Sequence, residues 1–222
     1  LEHAAKHELS ANVIDLCPVG ALTSRPYAYE ARPWELKKTL GIDVSDAMGS
    51  NIRIDARGRE VLRVLPRTND DVNEEWLSDK ARGQVDGLSR RRLDRVWIRR
   101  DGKLQPAAWD EAFGMIASAA KGGSVAAVAG DLLDCETMFA ARRLVNAAGS
   151  QLLESRQTGM SYPAGNLAAV NFNSTFAGIE TADAVLIVGS HLRWEAPLLN
   201  VRLRKAAKRG AKIFVVGPHW DT

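Results

Sequence analysis

Residues 184 to 216 restrict the fold more than any other part of the chain. Ala184 to Val188 is a short apolar run with strand character, Pro197 stands where the first turn of a helix accepts proline, and Leu199, Leu203 and Ala206 share one helical stripe. Arg202, Arg204, Lys205, Lys208 and Arg209 read as the opposite, outward face, Gly210 as the helix stop, and Lys212 to Val216 as a second strand. Strand, helix and strand within about thirty residues make a βαβ unit. Its strands are expected to be parallel, joined by a right-handed crossover.

The pattern upstream is different. Pro18, Pro26 and Pro33 punctuate the first 33 residues and forbid a long helix there. Asn51 to Ala56 alternates, with Ile52 and Ile54 on one side and Arg53 and Asp55 on the other, and Arg57-Gly58 turns the chain toward Val61, Leu62, Val64 and Leu65. A second hairpin is predicted over Val96 to Ala107, turning at Asp101-Gly102. From Ala108 the period becomes helical: Trp109, Ala112, Phe113, Ile116 and Ala120 form one stripe, Ser124 to Ala129 reads as a buried strand, and Cys135, Met138, Val145 and Ala148 mark the apolar face of another helix. Three zones follow, at 1–33, 34–107 and 108–222. The fold class is α/β, a small β-rich domain followed by a doubly wound, mostly parallel α/β domain.

Charge excludes some functions. Thirty Lys plus Arg against 27 Asp plus Glu leave +3, too near balance for a nucleic-acid or membrane-surface protein. The basic knot of Arg90, Arg91, Arg92, Arg95, Arg99 and Arg100 reads first as a solvated face and second as a docking point for an acidic partner. Two cysteines, Cys17 and Cys135, argue against a disulfide framework and for a reducing compartment. The longest strongly apolar stretch, Ala184 to Gly189, falls far short of a membrane span. The charged opening at Leu1 lacks a signal-peptide pattern and reads as a cut from a longer chain, with Thr222 short of the natural end.

Few residues invite chemistry. Cys17 followed by Pro18 is how the last thiolate of a ferredoxin-type [4Fe-4S] cluster often stands, although a lone thiol beside proline is more often a plain buried or surface cysteine. A cluster needs about four thiolates, and the sixteen residues before Cys17 hold none. His3 and His7 are four apart but lack a third ligand, and His191 and His219 read as polar residues at strand ends. Cys135 is expected to be a small buried hydrophobe. The six tryptophans are scattered and read as core or interface anchors. No glycine-rich dinucleotide or phosphate-loop motif occurs, which weakens an independent nucleotide-binding reading. Nor does local spacing indicate hydrolytic catalysis.

Longer strings carry more information. Glu8-Leu9-Ser10-Ala11-Asn12-Val13-Ile14-Asp15-Leu16-Cys17-Pro18-Val19-Gly20-Ala21-Leu22-Thr23-Ser24, then Ala31-Arg32-Pro33-Trp34-Glu35-Leu36 and Gly41 to Ile52, resemble the large iron-sulfur subunit, the 75-kilodalton type, of respiratory NADH:quinone oxidoreductase, complex I. The resemblance continues through Val64-Leu65-Pro66-Arg67 and Asn73 to Arg82, then runs more thinly to Gly189 and Gly217-Pro218.

That resemblance implies that Cys17 is a metal ligand, one of four holding a [4Fe-4S] cluster in the intact subunit, with its partners upstream of Leu1. It makes 1–33 the tail of a ferredoxin-like domain plus linker, 34–107 a cysteine-free relic of the cluster domain of molybdopterin oxidoreductases, and 108–222 an α/β domain like the one that cradles pterin in those enzymes. Gly41 to Asn51 contains no cysteine, and Ser78 stands where the last one would be. A serine hydroxyl is not ionised near neutral pH and is a poor iron ligand. The chain alone is therefore expected to hold no cofactor and to be inactive. Implied partners are other peripheral-arm subunits, without nucleic acid or membrane insertion, on the cytoplasmic side of the bacterial inner membrane or the mitochondrial matrix side. The alternative is a fragment of a formate dehydrogenase-like molybdopterin enzyme, with pterin held near Gly189-Ser190-His191 and Gly217-Pro218-His219.

Overall fold

The computed structural model describes residues 6–130, 132–156, 159, 161 and 165–218. It is a mixed α/β structure that divides into two compact units, Leu1–Arg90 with Phe172–Thr222, and Arg91–Asn171.

In the first unit, a short helix α1 (Asn12–Leu16) leads to an antiparallel sheet of β1 (Lys37–Ile42), β2 (Asn51–Arg57) and β3 (Glu60–Pro66), in that order. The predicted hairpin forms with Ile54 opposite Val64, and Gly58 takes the positive φ that its turn requires. A bulge at Asp55/Ala56 shifts the register. The next segment adds α2 (Asp79–Gly83) and α3 (Asp86–Ser89). Ile52, Val64, Leu77 and Ala81 form the core against which Ile54 and Val85 pack.

The same unit contains the predicted βαβ element. Strand β4 (Ala184–Val188) and strand β5 (Lys212–Val216) pair in parallel, Ala184 with Lys212 through Val188 with Val216. Between them a short helix α4 (Leu192–Glu195) breaks at Ala196, and α5 (Pro197–Lys208) begins on Pro197. Leu203 and Ala206 are buried as expected. Arg202, expected on the outer face, is only 3% exposed. The stripe is correct for aliphatic residues but not for Arg202, because its guanidinium finds acceptors on Asp70, Val72 and Glu180. Ala196 and Leu198 pack with Met48 into a second core cluster, joined by Leu9 and Trp76.

The second unit has an antiparallel hairpin of β6 (Val96–Arg100) and β7 (Lys103–Ala107), turned as predicted by Asp101 and Gly102, both at positive φ. Helix α6 (Trp109–Lys121) and helix α7 (Cys135–Ala147) follow the predicted spans. Strands β8 (Ala126–Val128) and β9 (Leu152–Glu154) pair in parallel around α7, a second βαβ element. Met138 and Ala141 are half-buried and Val145 is buried, so α7 does present one inward stripe. Cys135 is not on it. The thiol is exposed, because Cys135 occupies the first turn, immediately after the Asp134 cap. Along α6 the large residues Trp109, Phe113 and Ile116 are exposed, and only Ala112 and Ala120 of that stripe are half-buried.

Candidate functional site

The loop after α1 presents Cys17. Its N–H donates to the Ile14 carbonyl and closes the helix, and Pro18 then removes the next donor and ends the run. Gly20, at φ 67, folds the chain back so that its N–H reaches the Cys17 carbonyl. The backbone N–H groups of the turn therefore act on the sulfur. Leu22 contributes most, with Ala21, Val19 and Gly20 behind it, and together they hold the thiol below its ordinary pKa. Such a nest favours negative charge on sulfur, which is the form that binds metal.

The segment carrying this loop is tied to α2 and the turn before it. Asn12, buried in α1, donates from its amide to the Leu77 carbonyl at 2.8 Å, and its Oδ1 accepts the Leu77 N–H at 3.0 Å. Ala11 N–H donates to Asp79 Oδ1, while Asp79 N–H donates to the Glu8 carbonyl. Arg82 reaches both Asn12 Oδ1 and Asp15, and Arg193 pairs with Glu8 at 2.7 Å. Nothing in the local sequence around Cys17 signals these ties, whose partners lie 65 residues or more away.

Beside this anchor lies the cysteine-free domain. Ser78 is 1% exposed, caps α2 by accepting the Ala81 N–H, and donates weakly to Asp46 at 3.5 Å. Asp43 is buried and accepts from Ser45 and from Gln84. Burial pushes the Asp46 carboxyl above its usual range, and nearby Asp43 adds to the effect. No cysteine occurs between Pro18 and Asp134. The donor set is thus hard oxygen, with the serine already committed to a cap, and does not fit a [4Fe-4S] cluster, whose iron is held by thiolates. Among the described residues, no group of three or more His, Cys, Asp or Glu is arranged to hold a metal ion.

The strand tips come together as predicted for β4 and β5. Gly189 N–H donates to the Val216 carbonyl at 2.7 Å, and a Cβ on Gly217 would lie 3.4 Å from the Gly189 Cα. Two glycines therefore let the backbones approach just past the sheet. Ser190 donates to Glu195, and the His191 ring lies tilted against Trp194 at 6.1 Å between ring centroids. His7 is exposed and accepts the Leu9 N–H. His3, His219 and Trp220 lie outside the described residues. Trp76 packs against a core cluster, whereas Trp34, Trp109 and Trp194 are exposed. The arginines Arg90, Arg91, Arg92, Arg95, Arg99 and Arg100 are all exposed, with Arg95 paired to Asp94 and Arg100 to Glu111. An open cavity of about 730 Å³ in the first unit is lined by Ile14, Asp15, Tyr27, Arg63 and Arg82 among others. It bears mixed charge and no thiol.

Comparison with known proteins gives three family matches along the chain. Residues 92–222 match the molybdopterin oxidoreductase family. Residues 36–86 match a family described as NADH-ubiquinone oxidoreductase NDSU1/NuoG-like, 4Fe-4S domain, and residues 1–23 match NADH-quinone oxidoreductase subunit 3, ferredoxin-like domain. The chain is 50% identical, over its whole length, to the mitochondrial 78 kDa subunit of NADH-ubiquinone oxidoreductase from Neurospora crassa, covering 31% of that protein. It is 47% identical to an NADH-quinone oxidoreductase subunit of Rickettsia felis over 98% of this chain and 33% of that one. It is also 47% identical to the mitochondrial NADH dehydrogenase [ubiquinone] iron-sulfur protein 1 of Solanum tuberosum, covering all of this chain and 31% of the relative. The chain thus spans about a third of the length of these relatives.

Proposed function

Because this chain belongs to the molybdopterin oxidoreductase family, and aligns end to end with NADH oxidoreductase subunits, we propose that it is a section of the large electron-transfer subunit of complex I. In that subunit Cys17 supplies one thiolate to a [4Fe-4S] cluster, and the rest of the section is a cofactor-free scaffold. When bound, such a cluster accepts and releases electrons on the route from NADH to quinone.

The nest of N–H groups around the Cys17 sulfur carries this reading. It favours the thiolate, the form of sulfur that binds iron. The match of residues 1–23 to a ferredoxin-like domain supports the same assignment. The small domain has kept a cluster-domain ancestry without a single cysteine, and Ser78 now bonds to Asp46 while Gln84 bonds to Asp43. A formate dehydrogenase-like reading has less support, since the relatives above carry names of NADH oxidoreductase subunits.

By history the chain divides as a ferredoxin-like tail and linker (1–33), a cluster-domain relic (34–107) and a doubly wound α/β domain (108–222) with no pterin. Its partners are other peripheral-arm subunits, on the cytoplasmic or matrix side of the membrane. No helix among the described residues is long and apolar enough to cross a bilayer.

The deciding experiment is Cys17→Ser in the full-length subunit within assembled complex I. One reduced [4Fe-4S] signal should disappear from the electron paramagnetic resonance spectrum while the others persist. An unchanged spectrum and iron content would overturn the assignment. Molybdenum, tungsten and fluorescent pterin should be absent from this section, and finding any of them would restore the enzyme alternative.

A further inference from the structure

The side chain of Asn12 is a buried polar group with an unusually complete set of partners for a helix of five residues. Its amide donates to the carbonyls of Leu9 and Leu77, and its oxygen accepts from the Leu77 N–H and the Arg82 guanidinium. An isolated helix of this length does not persist in water. The position of α1, and of the Cys17 turn that caps it, must therefore come from tertiary ties.

Two features single out Asn12 among those ties. It is 6% exposed, so an unpaired replacement would leave the Leu77 N–H and C=O stranded away from water. Leu77 in turn is fully buried in the core of the cysteine-free domain and precedes Ser78, the cap of α2. The rigid part of that domain is thereby linked through one side chain to the start of α1, five residues before the thiol.

We infer that Asn12 is a positioning residue for the Cys17 ligand, locking the thiolate-bearing turn to the Leu77–Ser78 corner of the cysteine-free domain. This inference rests on Cys17 being a cluster ligand. It also gives the relic domain a present use, as the rigid base for a cluster held next door.

The test is made in assembled complex I carrying the full-length chain, with Asn12→Ala, Asn12→Asp, Cys17→Ser and Val64→Ala. The last trims the same core without touching α1. Asn12→Asp keeps the acceptor for Leu77 and Arg82 but loses the two donated bonds. Readouts are the spectrum and midpoint potential of the Cys17 cluster, with the remaining clusters as internal standards, and its retention under a chelator. Asn12→Ala should shift that potential and lower retention by roughly tenfold or more, as losing a supporting hydrogen-bond partner does at metal sites. Asn12→Asp should shift it less, and Val64→Ala should leave it in place. If the alanine variant does not assemble, the potential of Asn12→Asp decides. Loss of the signal in Cys17→Ser together with an unmoved potential in the Asn12 variants would overturn the positioning role alone. A retained signal in Cys17→Ser would instead remove the ligand assignment beneath it.

Discussion

Arg202 donates from Nε and Nη2 to the backbone carbonyl of Val72, 130 residues earlier in the chain, at 3.3 and 3.1 Å. The same guanidinium bonds to the Asp70 carbonyl and to Glu180 at 2.7 Å, and only 3% of the residue is exposed. Helix α5 is thereby fastened to the loop after β3. Lys205, one turn on, adds ion pairs to Glu74 and Glu180.

Removing this clamp should be costly. Arg202→Ala strands two backbone carbonyls and leaves the Glu180 carboxylate with Lys205 alone, and is expected to destabilise the chain by on the order of 3 kcal/mol. Arg202→Lys should recover only part, because an ammonium cannot reproduce the planar fork. Urea unfolding at neutral pH reads both. A loss under about 0.5 kcal/mol for the alanine variant, the size of an ordinary surface change, would show that the clamp is not a principal tie.

A second buried ion pair sets a pH dependence. Burial acts to raise the Asp55 carboxyl, yet hydrogen bonds from Arg53 and Arg63 outweigh it and hold the group below its usual range. A carboxyl depressed in the folded state stabilises fully above its unfolded pKa of about 3.9, and loses that contribution as the pH falls through the folded value. Asp55→Asn should therefore cost roughly 2–3 kcal/mol at pH 7. The gap to wild type should narrow on acidification below the unfolded pKa. Parallel unfolding curves at pH 7 and at about pH 3 check it, and a gap that stays constant would contradict the assignment.

Asp46 should behave in the opposite sense. Burial raises its carboxyl, with Asp43 adding to the effect, so ionisation at neutral pH opposes folding. Its favourable contribution is present below the unfolded pKa and is lost as the pH rises through the folded one. Asn at this position keeps an oxygen for the Met48 N–H and can donate to Ser78. Asp46→Asn is expected to stabilise by on the order of 0.5 kcal/mol at pH 7, with the gain vanishing in acid. A destabilised variant at neutral pH would mean that the charge itself is needed there.

The basic knot offers a test of assembly. Arg90, Arg91 and Arg92 are exposed, whereas Arg95 and Arg100 are engaged by Asp94 and Glu111. Reversing the first three to Glu should weaken association with neighbouring subunits, more at low salt than at high salt. Pull-down across a salt series measures it. Unchanged association at every salt would leave the knot as solvated surface.

What could be read from residues alone was local. Gly58 and Asp101-Gly102 dictate their turns because positive φ is a property of those few residues, and both hairpins form as predicted. The parallel pairing of β4 and β5 was equally legible, since a helix between two apolar runs leaves the strands few other arrangements. Arg202 and Asn12 were not legible. An arginine on a helix reads as an outer-face residue unless its acceptors are known, and its backbone acceptors Val72 and Asp70 lie 130 residues or more away. Asn12 bonds to the backbone of Leu77, which no side-chain pattern reveals. Cys17 was legible as a candidate through Pro18, but the N–H nest that favours its thiolate depends on the path of the chain from Val19 to Leu22.

The same nest separates the two thiols chemically. Only the thiolate attacks an alkylating reagent, and the N–H groups of Leu22, Ala21, Val19 and Gly20 favour that form at Cys17. Cys135 is the more open of the two, so access alone would favour its modification. In the chain without metal, Cys17 should nonetheless alkylate readily at neutral pH, with a rate that persists further into mild acid than that of a free cysteine peptide. Single variants Cys135→Ser and Cys17→Ser, alkylated across a pH series and followed by mass spectrometry, give each rate separately. Because lower pKa also lowers intrinsic nucleophilicity, the informative quantity is the pH at which the Cys17 rate falls by half, not its maximum. A midpoint at or above that of the free peptide would mean that the turn does not stabilise negative sulfur, and the strongest physical support for a ligand at Cys17 would be lost with it.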